Sequence, residues 1–332
     1  MIARKTFLAA IGLGLGLGVR LPAGARGALP AGSRPARIGL LLAPDRPLPL
    51  DVVRQDQLSA ALRQLGWVEG RNLAIEIRHA GNNPQRQREL AAELKALPVA
   101  LIIASGTNMI QAARDGAPGL PVVMVNAGDP VGSGFVASLA RPGGDLTGSS
   151  AAGEELLAKQ LELILAAVPQ AKQVSVLMNR ANPANDFFFA AMAARAKALG
   201  VGIERVEVAQ ADELEAAVAR TRGGALVVLG DPMFGQHRLR VVELTQRFDV
   251  PAIYGGRPYV AAGGLMSYLS ADAWHWRSAA AYVDKILRGA KPADLPAVQP
   301  TAFELIINLK TARALGITIP PSLLLRADEV IE

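Results

Sequence analysis

The sequence predicts an α/β protein of two doubly wound lobes, each a parallel sheet covered by helices on both faces. Three observations carry that expectation. From residue 37 onward, short apolar runs alternate with segments of helical period, the pattern of strand–helix–strand units. The runs are continuously apolar rather than alternating, as strands buried on both faces are. The alternation completes one cycle, passes a long helical stretch at 153–167 and begins again, in a chain of 332 residues, longer than one core usually organises.

The N-terminal stretch "MIARKTFLAAIGLGLGLGVRLPAGARG" stands apart. Arg4 and Lys5 precede an uncharged run from Thr6 to Val19, followed by Arg20 and Ala23-Gly24-Ala25. That is the order of a cleavable secretory signal, placed at 1–25. The run of about 14 residues falls short of the roughly 20 that a membrane span needs. Its glycines at 12, 14, 16 and 18 do not form G-x-G-x-x-G, and no strand precedes them. Residues 26–36, rich in Gly, Ala, Pro and Arg, form a leader.

The first cycle has strands at 37–43, 73–80, 100–105, 121–127 and 146–150, with helices near 51–65, 84–96 and 107–115. Leu58, Leu62 and Leu65 mark one helical face, and Gly66 fits the position just past the helix end. The second cycle has strands at 173–179, 202–208, 225–230, 251–255 and 264–269, with helices near 185–199, 211–220 and 236–248. A helix at 272–288 stops at Gly289, and 301–316 adds one more strand and helix.

Composition narrows the function. The chain is 51% hydrophobic and 19% charged with a formal net charge of +6, far from disordered composition. Removing 1–25 takes away three basic residues and no acid, leaving +3, and the remaining charges are interspersed. No basic block exists to bind nucleic acid. The chain has no Cys, so it has no disulfide, no thiolate nucleophile and no cysteine to carry a lipid anchor. His79, His237 and His275 are far apart, without ligand spacing, and solvated or capping roles are expected of them. No G-x-x-x-x-G-K-[ST], H-E-x-x-H or G-x-S-x-G occurs. Accordingly no catalytic group, metal or cofactor is expected.

In doubly wound sheets, ligands sit beyond the carboxyl ends of the strands. Those ends carry Ser105-Gly106-Thr107, Asn126 with Asp129, Asn179 with Asn182, Asp231 and Tyr254, with Phe234 close behind. These are the candidate ligand-binding residues. Thr107 opens a helix, whose free N–H groups suit a carboxylate. Asp129 and Asp231 each stand between Gly and Pro, suited either to capping a turn or to holding an ammonium. Phe234 and Tyr254 are candidates to stack a ring. A paired-carboxylate hydrolase using Asp129 and Asp231 is a competing reading.

The segments "LRQLGWVEGRNLAIEIRHA", "IIASGTNMIQAA", "GDPVGSGFVASLARPGGDLTGSS" and "LGDPMFGQHR", with the long C-terminal stretch "YVDKILRGAKPADLPAVQPTAFELIINLKTARALGITIPPSLLLRADEVIE", resemble the ABC-transporter substrate-binding protein family that includes tryptophan- and tyrosine-binding lipoproteins. The likeness spans roughly residues 37–332. It implies a type 1 periplasmic-binding fold: two Rossmann-like lobes joined by three hinge crossovers, near 149–150, 269–271 and 300–303. Lobe 1 then comprises 37–149 plus 271–300, and lobe 2 comprises 150–270 plus 301–332. The resemblance further implies a monomeric periplasmic receptor that traps a small polar ligand, an amino acid and possibly an aromatic one, by hinge closure. Its partners would be an inner-membrane permease and its ATPase; presentation to a receptor kinase is the alternative for a sensory module. "NDFFFAAM", with Phe187, Phe188 and Phe189 in a row at a lobe-2 helix start, departs from the family pattern.

Overall fold

A computed structural model describes residues 34–332 apart from 152. The signal at 1–25, and the leader as far as 33, lie outside the described residues. Ala36 already belongs to the first strand.

The chain begins β1 (Ala36–Leu42), α1 (Pro49–Gln64), β2 (Leu73–His79), α2 (Pro84–Ala96), β3 (Ile102–Ser105), α3 (Thr107–Gly116), β4 (Val122–Ala127) and β5 (Leu146–Ser150). The second cycle is α4 (Glu154–Ala167), β6 (Gln173–Asn179), α5 (Asn185–Leu199), β7 (Gly202–Val208), α6 (Leu214–Ala219), β8 (Ala225–Val228), α7 (Pro232–Gln236), α8 (Arg238–Arg247), β9 (Ala252–Tyr254), α9 (Arg257–Ala261) and β10 (Met266–Leu269). Then follow α10 (Asp272–Leu287), β11 (Glu304–Asn308), α11 (Leu309–Ala314), α12 (Pro321–Leu324) and β12 (Glu329–Ile331).

Among the described residues, the strands form a five-stranded sheet in the order β2-β1-β3-β4-β5 and a seven-stranded sheet in the order β12-β11-β10-β9-β8-β6-β7. The first is parallel throughout. From β7 to β10 the second repeats the same doubly wound order, and β11 and β12 are added at its edge. Here the expectation of parallel pairing needs correction, because β11 runs antiparallel to β10. The chain reaches β11 from α10, on the other lobe, and so enters the sheet from the opposite end.

The central strands of each sheet are buried on both faces, which is why they are continuously apolar, whereas the edge strands β2 and β7 carry charged residues and are less buried. In β1, Ile38, Leu40 and Leu42 face the layer with α1 and α10, whereas Leu41 faces the layer with α2 and α3. In β8, Leu226 and Val228 face one layer and Ala225 and Val227 the other. Local signals set the helix ends. Pro49 occupies the first turn of α1, Gly66 follows its end at φ 95°, and Asn83 caps α2 through Oδ1 to the amides of Gln85 and Arg86. The expected helix over 211–220 is a short 3₁₀ turn followed by α6. The expected helix over 236–248 is α8 preceded by the separate turn α7.

Helix α10 packs on α1, β4 and β5, so it belongs with the first sheet although it follows β10. The polypeptide therefore passes between the sheets after β5, after β10 and before β11.

Candidate ligand-binding site

A cavity of about 430 Å³ lies between the carboxyl ends of the two sheets, in the range of small-molecule sites. Six of the ten candidate residues line it: Ser105, Gly106, Thr107 and Asn126 from the first lobe, Asn182 and Asp231 from the second.

Asp231 caps α7, its Oδ1 accepting from the Met233 amide at 2.9 Å and from Asn179 Nδ2 at 3.0 Å. Its Oδ2 accepts from Asn182 Nδ2 at 2.8 Å. Only 7% of the residue is exposed. Burial pushes its carboxyl pKa up, and these three hydrogen bonds only partly offset that cost. The loop that supplies the donors is itself cross-braced. Asn182 Oδ1 accepts from the Ala184 amide and Asn185 Nδ2 donates to the Asn179 carbonyl.

On the opposite wall α3 starts at Thr107, with Gly106 as a cap that offers no side-chain hydrogen bond. Thr107 Oγ1 accepts from the Gly128 amide at 3.0 Å, tying the ends of β3 and β4 together. Asn126 holds φ at 57°, a conformation few residues with a side chain adopt, and its amide donates to Ser149 Oγ. Two cavity-lining side chains, Gln57 and Asn126, carry buried oxygens (Oε1 and Oδ1) without a protein donor.

The other four candidates lie off the cavity. Asp129 is half-buried at φ 33° and caps its own turn, Oδ1 accepting from the Gly132 amide at 2.8 Å. Asn179 sits beneath Asp231. Phe234 and Tyr254 are in the lobe-2 core. The Tyr254 hydroxyl pairs with Thr245 Oγ1 at 2.6 Å and its ring stacks on Tyr259, and it is Tyr259 that reaches the cavity. A strand-end aromatic faces core or cleft according to its side of the pleat, which two neighbouring residue types do not reveal.

Arg54, Asp272 and Tyr259, which stand at none of the strand ends singled out in the sequence, also line the cavity, as does Phe188, marked in the sequence only as a departure from the family pattern. Arg54 Nε donates to Asp272 Oδ2 at 2.8 Å, and its Nη1 lies 3.5 Å from Asp51 Oδ1. Burial disfavours the Arg54 charge, but the two carboxylates more than compensate and hold its pKa above the usual value. The i, i+3 spacing of Asp51 and Arg54 was the one local signal.

His275 also departs from expectation. Rather than solvated or capping, it is 1% exposed in α10, with Nδ1 3.0 Å from Ser149 Oγ and Nε2 2.9 Å from Ser270 Oγ. It thus bridges the ends of β5 and β10, where the chain passes between lobes. Burial lowers its pKa to about 4, with Asp272 raising and Arg54 lowering it further.

Residues 51–331 match the family described as ABC transporter substrate binding protein. A tyrosine-binding protein of Clostridioides difficile is 25% identical over 258 residues, covering 77% of this chain and 74% of its own. Among solved structures, a Streptococcus pneumoniae ABC domain in complex with L-Trp is 26% identical, covering 90% of this chain and all of its own, with a TM-score of 0.83. A conserved domain protein from Vibrio cholerae is 24% identical with the same coverage and a TM-score of 0.84, a likeness of fold.

Proposed function

The chain belongs to the ABC transporter substrate-binding protein family, and from that premise we propose that it captures an amino acid between its two lobes for uptake. Members of this family are extracytoplasmic, non-catalytic proteins that bind small molecules, which sets the paired-aspartate hydrolase aside. Asp129, capping a turn off the cavity, fits that as well.

One observation carries the amino-acid reading: the cavity sets opposite chemistries on opposite walls. The desolvated Asp231 carboxylate on the second lobe suits an ammonium. The uncapped start of α3 suits a carboxylate. Phe188 and Tyr259 add aromatic wall, and the tyrosine- and L-Trp-binding relatives support an aromatic side chain. In this reading the protein is a periplasmic monomer, exported by a cleaved signal at 1–25 without a lipid anchor. Its lobes close about the hinge crossovers, and an inner-membrane permease with its ATPase receives the closed form.

Titration calorimetry of the exported form against L-tyrosine and L-tryptophan tests this, with thermal shift across other amino acids, sugars and nucleosides. A bound amino acid at a hundredfold excess over Kd should stabilise the fold by about 2.7 kcal/mol. Stabilisation by a sugar or nucleoside and by no amino acid would overturn the reading.

A further inference from the structure

We propose that Phe188 is the residue on which the two lobes meet at closure, and that Gly128 is glycine to receive its ring. Phe188 belongs to α5 of the second lobe, and Gly128 follows β4 of the first. A Cβ placed on Gly128 would stand 2.5 Å from Phe188 Cζ and 2.9 Å from Ala184 Cβ, closer than packed carbons approach. Gly128 has no positive φ, so no backbone conformation calls for glycine there. The two tightest contacts come from the opposite lobe, with Thr107 Oγ1 of its own lobe next at 3.0 Å.

The same design recurs at the end of the neighbouring strand β3. A Cβ on Gly106 would stand 2.8 Å from Pro232 Cγ, again one lobe's strand-end glycine under the other lobe's ring. Gly106 also holds φ at 87°, so a substitution there would mix strain with contact. Gly128 is the clean position.

Phe188 is held rather than free. Its amide donates to the Ala184 carbonyl, and the Ala184 amide to Asn182 Oδ1. Asn182 in turn donates to Asp231. The neighbouring rings stay in the second lobe: Phe187 lies 5.9 Å from Phe188 at a tilt and packs on the lobe-2 core, while Phe189 lies under Arg205 at 4.5 Å. The three consecutive phenylalanines thus divide their roles, two anchoring α5 and the middle one meeting the other lobe. Polar contacts also cross between the lobes, Asn82 Nδ2 donating to the Ala209 carbonyl at 3.0 Å and Gln236 Nε2 to Asp45 Oδ1 at 3.1 Å. Because Phe188 and Gly128 both line the cavity, their contact closes one of its walls. That this wall surrounds an amino acid rests on the function proposed above; the contact itself does not.

The test uses the absence of cysteine from the chain. Gln85→Cys and Asp212→Cys, exposed positions on opposite lobes, carry spin labels whose separation is measured by double electron–electron resonance. The otherwise unaltered protein should show a short-separation population that Gly128→Ala depletes about tenfold. Adding Phe188→Ala to Gly128→Ala removes the tighter of the two cross-lobe contacts, leaving that to Ala184 Cβ, and should restore part of the population, a rescue that a merely misfolded first lobe would not give, since the second change lies in the other lobe. A labelled protein with only long separations, a short population untouched by Gly128→Ala, or a double variant without recovery would each overturn the proposal. Rescue as expected, with no amino acid binding, would uphold the contact and overturn only the ligand reading.

Discussion

The turns Gly128-Asp129-Pro130 and Gly230-Asp231-Pro232 are the same tripeptide at strand ends of the two lobes, the first after β4 and the second after β8, whose counterpart in the first sheet is β3. Their aspartates have different fates. Asp129 sits half-buried at φ 33° and its carboxylate serves one amide three residues on. Asp231 is extended at φ −142°, almost fully buried, and takes three donors on the cavity wall. Local chemistry explains why each turn exists, since Asp before Pro favours a capped turn. What separates them is the neighbourhood. In lobe 2 the end of β6 and the Asn182 loop converge on the carboxylate, whereas in lobe 1 the Asp129 carboxylate meets only the Gly132 amide of its own turn.

That contrast is broken most severely at Asp231. Asp231→Ala leaves the amides of Asn179 and Asn182 and the Met233 N–H buried without an acceptor. The expected loss is about 4 kcal/mol, read as a lower urea midpoint at unchanged slope. A loss below about 1 kcal/mol would mean that water replaces the carboxylate freely, and the two turns would then be energetically alike.

Burial as the deciding variable is sharpened by a group of opposite charge type. His275 is neutral in the fold down to about pH 4, against an ordinary 6.5, because burial disfavours the cation. The unfolded chain therefore binds the extra proton between those values. The contribution is complete above pH 6.5 and lost as pH falls toward 4, by roughly 3 kcal/mol in all. Asp272 and Arg54, the charged groups acting on the ring, oppose each other. Urea unfolding of the protein and of His275→Gln at several pH values isolates the term. Their difference should narrow steadily below pH 6.5, and parallel curves would show that the ring is accessible to protons in the fold.

How much was legible follows the same division. Strands β5, β6 and β7 and helices α2 and α5 stand at the residues their periodicity marks, because 5 to 15 residues of consistent pattern outweigh local noise. Helices α9 and α12 and strand β12 are three to five residues long and carry no period to detect. The direction of β11 depends on where the preceding helix packs, which "ELIIN" cannot encode. In the site, Thr107, Asn182 and Asp231 were visible because the doubly wound rule points to polar strand ends. Arg54 and Asp272 meet across 218 residues, and His275 reaches Ser149 across 126. Such meetings are set by the crossovers, and no spacing announces them.

The smallest effect is the sharpest test of the comparison, because it asks whether the lobe-1 aspartate is anything beyond a cap. Asp129→Asn keeps an oxygen to accept from the Gly132 amide and a side chain that tolerates positive φ. It removes only the charge. A cap of a partly exposed turn gains little from that charge, so stability should change by no more than about 0.5 kcal/mol. Affinity for L-tyrosine or L-tryptophan should stay within about twofold, since the carboxylate lies off the cavity and solvent screens it. A tenfold loss of affinity with the fold intact would make Asp129 a counter-ion of the ligand. The two Gly-Asp-Pro turns would then act as a matched pair, and the asymmetry in their burial would no longer account for their roles.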